Sequence, residues 1–134
     1  MKFSLAIAAL AVAAISQAVL LQCASADDDL AAGEQSFKKC QACHTIGEGA
    51  RNKIGPELND LDGRHSGTAA DYSYSDANKN SGITWNKAQF LEYIRDPRAK
   101  IPSTKMVFAG IRGETEAANL WAYLASFGPD GKKK

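Results

Sequence analysis

The sequence predicts an all-α fold with few helices and long loops. Three segments carry apolar residues at spacings of three and four, the signature of one buried helical face. No segment shows the period-two alternation of a strand or the βαβ order of a parallel sheet. Between the first and second helical segments lie about forty residues rich in Gly, Asn, Asp and Ser, a length that a compact domain does not leave without a partner. Something other than protein is expected to fill the middle.

The chain opens with "MKFSLAIAALAVAAISQAVLLQCASA". Lys2, the apolar run Phe3–Leu21 and the small residues Ala24 and Ala26 have the order of a secretory signal peptide. Cleavage is expected after Ala26, giving a leader over residues 1–26 and one domain over residues 27–134. A retained membrane anchor is the alternative, since the run is long enough to span, although Ser4, Ser16 and Gln17 dilute it. Lipid attachment at Cys23 is disfavoured by Gln22, which stands where a small residue is needed.

The first helix is expected in "DDLAAGEQSFKKC", started by Asp28 or Asp29, with Leu30, Gly33, Phe37 and Cys40 on one stripe. The second, "TWNKAQFLEYIRDP", starts near Thr84 or Asn86, buries Phe90, Leu91 and Ile94, and stops before Pro97. The third, "ETEAANLWAYLASFGP", aligns Ala117, Leu120, Trp121, Leu124 and Phe127. Glu114 and Glu116 suit its positive end, and Gly128-Pro129 stops it. "DDD" at 27–29 and "KKK" at 132–134 are expected to be solvated ends, the acids also suiting a helix start.

The chain of 134 residues has 16 Lys plus Arg against 15 Asp plus Glu; loss of Lys2 balances the two. No basic excess points to nucleic acid. Loss of the leader also removes Cys23 and Met1. The soft ligands that remain are Cys40, Cys43, His44, His65 and Met106.

Those residues centre on "FKKCQACHTIG". A C-x-x-C pair has three common uses. A thioredoxin-type redox pair needs flanking βαβ structure, which is absent from the pattern. A structural zinc site needs four ligands; Cys40, Cys43, His44 and His65 reach that number, but adjacent Cys43 and His44 do not easily face one metal. The third use is C-x-x-C-H haem attachment, in which both thiols form thioethers to the macrocycle and the next imidazole binds its iron. The adjacency that spoils a zinc site is what haem attachment requires, and the secretory leader agrees with it. Met106, the only thioether left after cleavage, is the candidate for the opposite iron ligand. Its setting, "IPSTKMVFAG", has no helical stripe that would make it core filler. His65, in the polar loop "LDGRHSG", is the rival.

The blocks "GEQSFKKCQACHTI", "GPELNDLDGR", "YSYSDANKNSGITW", "FLEYIRDP", "IPSTKMVFAGI" and "LWAYLASFG" together resemble a class I c-type cytochrome, of the bacterial periplasmic type similar to the mitochondrial carrier. They fall in family order through nearly all of the segment after the leader. The resemblance implies a small mono-haem fold in which the N- and C-terminal helices cross and long loops wrap one covalent haem c. It implies thioethers at Cys40 and Cys43, and His44 and Met106 as axial ligands. The Pro56 carbonyl would orient the His44 ring. Arg64, Tyr74 and Trp85 would bond the haem propionates. Asn78, Tyr93 and Thr104 would form a polar network beside Met106. Gly33, Phe37, Leu120 and Tyr123 would make the helix crossing. Ser103 departs from the pattern, which has Gly before Thr-Lys-Met.

The function so implied is a soluble one-electron carrier, not an enzyme, since two protein ligands leave the iron no open position. It would be a periplasmic monomer. Its donor would be a quinol-oxidising cytochrome complex. Its other partner would be a terminal oxidase, a photosynthetic reaction centre or a periplasmic dehydrogenase. Peroxidase-type turnover and a haem-free thiol oxidoreductase are the competing classes. A basic ring of Lys39, Arg51, Lys53, Arg98, Lys105 and Arg112 is implied around the exposed haem edge. Glu34 and Gly113 stand where lysine-rich members carry lysine.

Overall fold

The computed structural model describes residues 28–134; the expected leader lies outside them. The described chain forms five helices: α1 Leu30–Phe37, α2 Asp76–Lys79, α3 Lys87–Arg95, α4 Pro97–Lys100 and α5 Glu114–Ala125. Among the described residues the only β pairing consists of two isolated bridges, His65 with Thr84 and Phe127 with Lys133. No helix described is long and apolar enough to cross a membrane.

Local chemistry explains where each helix begins. Asp29 caps α1, its carboxylate accepting from the Ala32 N–H at 3.0 Å. Asn86 caps α3, accepting from Gln89 N–H at 2.9 Å. Both side chains satisfy a backbone donor that the helix leaves without a partner. The α3 ladder ends at Arg95, as Pro97 dictates, and the chain then restarts. Asp96 caps α4 and Pro97 takes its first turn, where a missing N–H costs nothing. Ser75 caps α2 through the Asn78 N–H at 3.1 Å. Neither short helix was expected. In α5, Glu114 and Glu116 occupy the first turn, where the helix dipole favours acids.

α1 crosses α5, and Gly33 marks the crossing point. A Cβ at Gly33 would lie 2.1 Å from the Asn119 carbonyl oxygen and 2.8 Å from Tyr123 Cβ, so only glycine permits this approach. The predicted stripe needs one correction. Leu30 is exposed, whereas Ser36 is buried beside Phe37, because Leu30 sits at the end of the helix beyond the crossing. The Ser36 hydroxyl donates to Glu116 Oε1 at 2.7 Å, and Lys39 Nζ reaches the same oxygen at 2.5 Å. On α3 the buried face is Phe90, Tyr93 and Ile94, with Leu91 only half-buried. Phe90 stacks at a tilt on Trp121 of α5, centroids 5.3 Å apart. Leu120 and Leu124 are among the most deeply buried side chains. Phe127 is buried as expected.

The C-terminal lysines are not a free tail. Gly128 N–H donates to Lys132 O at 2.8 Å and Lys134 N–H to Ser126 O at 2.7 Å. Lys133 lies 5.8 Å from the ring centroids of Tyr123 and Phe127, and Lys134 pairs with Asp60 at 3.3 Å. The turn residues of "FGPDG" fold the end of the chain back, so the three lysines stay exposed as expected while their backbone closes a clasp.

Candidate functional site

The loops and helices enclose a largely apolar cavity of about 390 Å³ whose lining includes Cys40, Cys43, His44 and Met106. A second, more open hollow of about 620 Å³ is bordered by Ser81, Asn86, Lys100 and Pro102. It holds none of the soft ligands.

The attachment motif follows α1 as a further helical turn. Cys43 and His44 N–H both donate to Cys40 O, at 3.0 and 2.9 Å. Both thiols are free and half-buried. Burial pushes the Cys40 thiol up to about 11, so it stays protonated and neutral at physiological pH. Burial also lowers the His44 pKa, against the opposing hydrogen bond to Pro56. His44 is therefore the neutral imidazole that metal binding requires. Its Nδ1 donates to the Pro56 carbonyl at 2.7 Å, which fixes the tautomer and leaves Nε2 with its lone pair. Gly55 makes room for the ring: a Cβ there would lie 2.4 Å from His44 Cε1.

On the other side, Tyr93 O–H donates to Met106 Sδ at 3.3 Å. The Thr104 hydroxyl donates to Asn78 Oδ1 at 2.8 Å, and Ser75 Oγ donates to the same oxygen at 2.8 Å. Tyr93 and Thr104 hydroxyls lie 3.4 Å apart. α2 exists to deliver Asn78 to this network, and α3 delivers Tyr93. The three residues implied by the resemblance are thus brought together. Trp85, buried, meets Tyr93 edge-on with centroids 5.0 Å apart. Tyr74 accepts from the Ala69 N–H at 3.2 Å, which leaves its own proton available. Arg64 also lines the cavity, but its guanidinium already bonds Glu57 and the Asn59 carbonyl. His65 is exposed, bonded to the Thr84 hydroxyl at 2.8 Å, and is not among the cavity-lining residues.

Three features were missed in the sequence. Ser66 is buried, lines the cavity, and its hydroxyl has no partner. Glu57 binds Arg64. Ile54 and Val107 expose large apolar side chains at the cavity rim. Nothing in the spacing marks Ser66 or Glu57; the exposed apolar pair was legible only as residues outside any stripe.

The residues fit a haem. A largely apolar space carries a neutral imidazole, a thioether and two free thiols, and it leaves a buried hydroxyl seeking a partner. Among the described residues no cluster of three or more His, Cys, Asp or Glu offers a metal site built from protein alone. A macrocycle that brings its own equatorial nitrogens needs no such cluster.

Comparison with known proteins agrees. The cytochrome c family model matches residues 30–128. Cytochrome c-550 of Bradyrhizobium diazoefficiens is 70% identical over 104 residues, covering 78% of this chain and 76% of that protein. Cytochrome c2 of Rhodoplanes tepidamans is 68% identical over 106 residues, covering 79% and 99%. Among solved structures, cytochrome c2 of Rhodospirillum centenum superposes with a TM-score of 0.72 at 36% identity, covering 75% of this chain and 99% of that one. The chain therefore belongs to the cytochrome c family and is an electron carrier with one covalent haem c.

Proposed function

We propose that Cys40 and Cys43 form the thioethers, that His44 and Met106 are the axial ligands, and that the chain shuttles one electron at a time between larger complexes without acting as an enzyme. The observation that carries this reading is the pairing of His44 Nδ1 with Pro56 O and of Tyr93 O–H with Met106 Sδ across one cavity. Each contact fixes a candidate ligand through a neighbour, and each leaves the ligating atom a lone pair. Bound haem c supplies the iron that alternates between ferrous and ferric states. The residues hold that change in place. Tyr93 draws electron density from the sulfur. Thr104 and Asn78 immobilise the segment before Met106. Phe90, Ile94, Leu120 and Leu124 keep water from the centre. Arg64, Tyr74 and Trp85 border the place where the carboxylates of a haem would sit, and Ser66 adds an unpaired hydroxyl. A site assembled this rigidly suits electron transfer, since little rearranges between oxidation states.

The compartment and partners belong to the same proposal. A leader over residues 1–26, with a domain over 27–134, would deliver the chain to the periplasm. A quinol-oxidising cytochrome complex is the proposed donor, and a terminal oxidase, reaction centre or periplasmic dehydrogenase the other partner. Docking would use the exposed rim, where Ile54 and Val107 supply apolar contact. The basic ring there is less uniform than expected. Lys39 pairs with Glu116, whereas Lys53 and Lys105 reach backbone carbonyls of Gln41 and Ser73 rather than a carboxylate.

The test is Met106→Ala. Haem is expected to remain covalently bound, the sulfur-to-iron charge-transfer band to vanish, and carbon monoxide to bind the reduced variant but not the reduced wild type. Survival of the band refutes the ligand assignment. Carbon monoxide binding by native wild type would favour peroxidase-type chemistry instead.

A further inference from the structure

Arg64 shares the cavity wall with Lys39 and Lys105, but it is far less exposed than Lys39, and its guanidinium makes three hydrogen bonds. Nη1 donates to Glu57 Oε1 at 2.8 Å and to Asn59 O at 3.0 Å, and Nη2 donates to Glu57 O at 2.9 Å. The Glu57 carboxylate is itself held, Oε2 accepting from Asn59 N–H at 2.7 Å. Glu57 N–H in turn donates to Asn52 Oδ1 at 3.0 Å. The side chains of the ion pair are 16% and 24% exposed. Solvent therefore screens them weakly, and the geometry is closed on both sides. Arg64 faces the cavity; Glu57 does not.

We propose that Glu57 sets the reduction potential by compensating the positive charge that Arg64 presents to the haem site. A lone guanidinium beside the cavity would stabilise the reduced state, which carries one more negative charge. Paired with a carboxylate on its outer side, it presents a dipole whose field falls off faster than that of a full charge. The same carboxylate holds the guanidinium away from a freer approach to the cavity. Tyr74, which lines the cavity, feels the two partners with opposite sign: Arg64 pulls its pKa down and Glu57 pushes it up, both behind the larger effect of burial. Glu57 is thus a positioning residue that acts through Arg64, and neither its backbone contacts nor its place in the turn require it to be acidic.

The inference rests on the reading that haem occupies this cavity beside Arg64. The experiment measures the redox equilibrium of the holoprotein against a mediator of known potential, for wild type, Glu57→Gln, Arg64→Gln and the double variant, with Glu48→Gln as an exposed control. Glu57→Gln is expected to shift the equilibrium toward the reduced form by about three- to ten-fold, and Arg64→Gln to shift it the other way by a similar factor. The double variant is expected within about two-fold of wild type, because both charges are gone. High salt is expected to leave these shifts largely intact, since the pair is half-buried. No response to Arg64→Gln removes the premise that Arg64 faces the haem. A response to Arg64→Gln without one to Glu57→Gln overturns the role of Glu57 alone. An equal rise in Glu48→Gln overturns it too, because only net charge would then matter. Thermal melts of each holoprotein separate these outcomes from unfolding. Loss of stability in Glu57→Gln with an unchanged potential also overturns the proposal, since it leaves Glu57 a purely structural part.

Discussion

Gly33→Ala is a single added methyl with a calculable consequence. The new Cβ would stand 2.1 Å from the Asn119 carbonyl oxygen, 2.8 Å from its carbon and 2.8 Å from Tyr123 Cβ. Two of those atoms belong to the backbone of α5 and cannot rotate away. Ordinary contact begins near 3.4 Å, so α1 must withdraw by about an ångström or more. Withdrawal loosens Phe37 against Tyr123, whose rings lie 5.6 Å apart, and stretches the bond from Asp29 N–H to Asn119 Oδ1, now 2.9 Å. Overpacking of this kind costs about 1–3 kcal/mol, and the lost contacts add about 1 kcal/mol. Alanine's better helix propensity returns about 1 kcal/mol. The expected net loss is about 1–3 kcal/mol, or a fall in melting temperature of roughly 4–8 °C for each kcal/mol. Guanidinium unfolding of the reduced and oxidised holoprotein measures it, with an unchanged slope m showing that the unfolded state is not the cause. A Gly33→Ala protein as stable as wild type would refute the close-approach argument.

Three other outcomes follow from the geometry. Ser103 has φ +69°, left-handed backbone that costs a residue with a Cβ about 1 kcal/mol; Ser103→Gly is expected to stabilise the Met106 segment, read as slower displacement of the proposed ligand Met106 by added imidazole, and unchanged displacement would show that the strain does not reach Met106. The Cys40→Ala/Cys43→Ala chain, expressed without haem, is expected to lack native helicity, because the loops between α1 and α3 close on the cavity; far-ultraviolet circular dichroism with a cooperative melt would contradict this. Lys105→Glu and Lys39→Glu are each expected to slow reaction with an acidic redox partner at low salt more than the control Lys132→Glu, since both residues border the cavity and Lys132 does not, and the differences should shrink as salt screens them; equal slowing by all three would leave only a net-charge effect.

The three long helices were legible because each combines a stripe with a polar start, a side-chain cap in α1 and α3 and acids in the first turn in α5. Asp29, Asn86 and the Glu114–Glu116 turn announce their starts, and Pro97 and Gly128 announce stops. The short helices were hidden inside a polar stretch that reads as loop, and four residues are too few to show a period. Ser75, spaced for a cap, was the available signal for α2. Leu30 was misjudged since a stripe says which face is apolar, not where along it a partner ends. The attachment motif and the candidate axial ligands came from chemistry; Tyr93, Asn78 and Thr104 came only through resemblance, and their meeting beside Met106 depends on contacts between segments far apart in the chain. Glu57 with Arg64, and the clasp of Lys134 on Asp60, are also long-range or turn-dependent pairings that no local pattern encodes.

The crossing of α1 with α5 also sets an order of events during synthesis. The bond between Asp29 and Asn119 joins residues 90 apart, so α1 has no lasting partner until nearly the whole chain has emerged. The pair of cysteines sits immediately after α1. While the C-terminal third is still being made, that pair rides on an undocked, fraying turn, because short helices are marginal alone. Non-local closure is slow, which lengthens this interval. The arrangement gives the attachment step an open, extended substrate first and a closed fold afterwards, with Lys134 locking the loop that carries Asp60 in place.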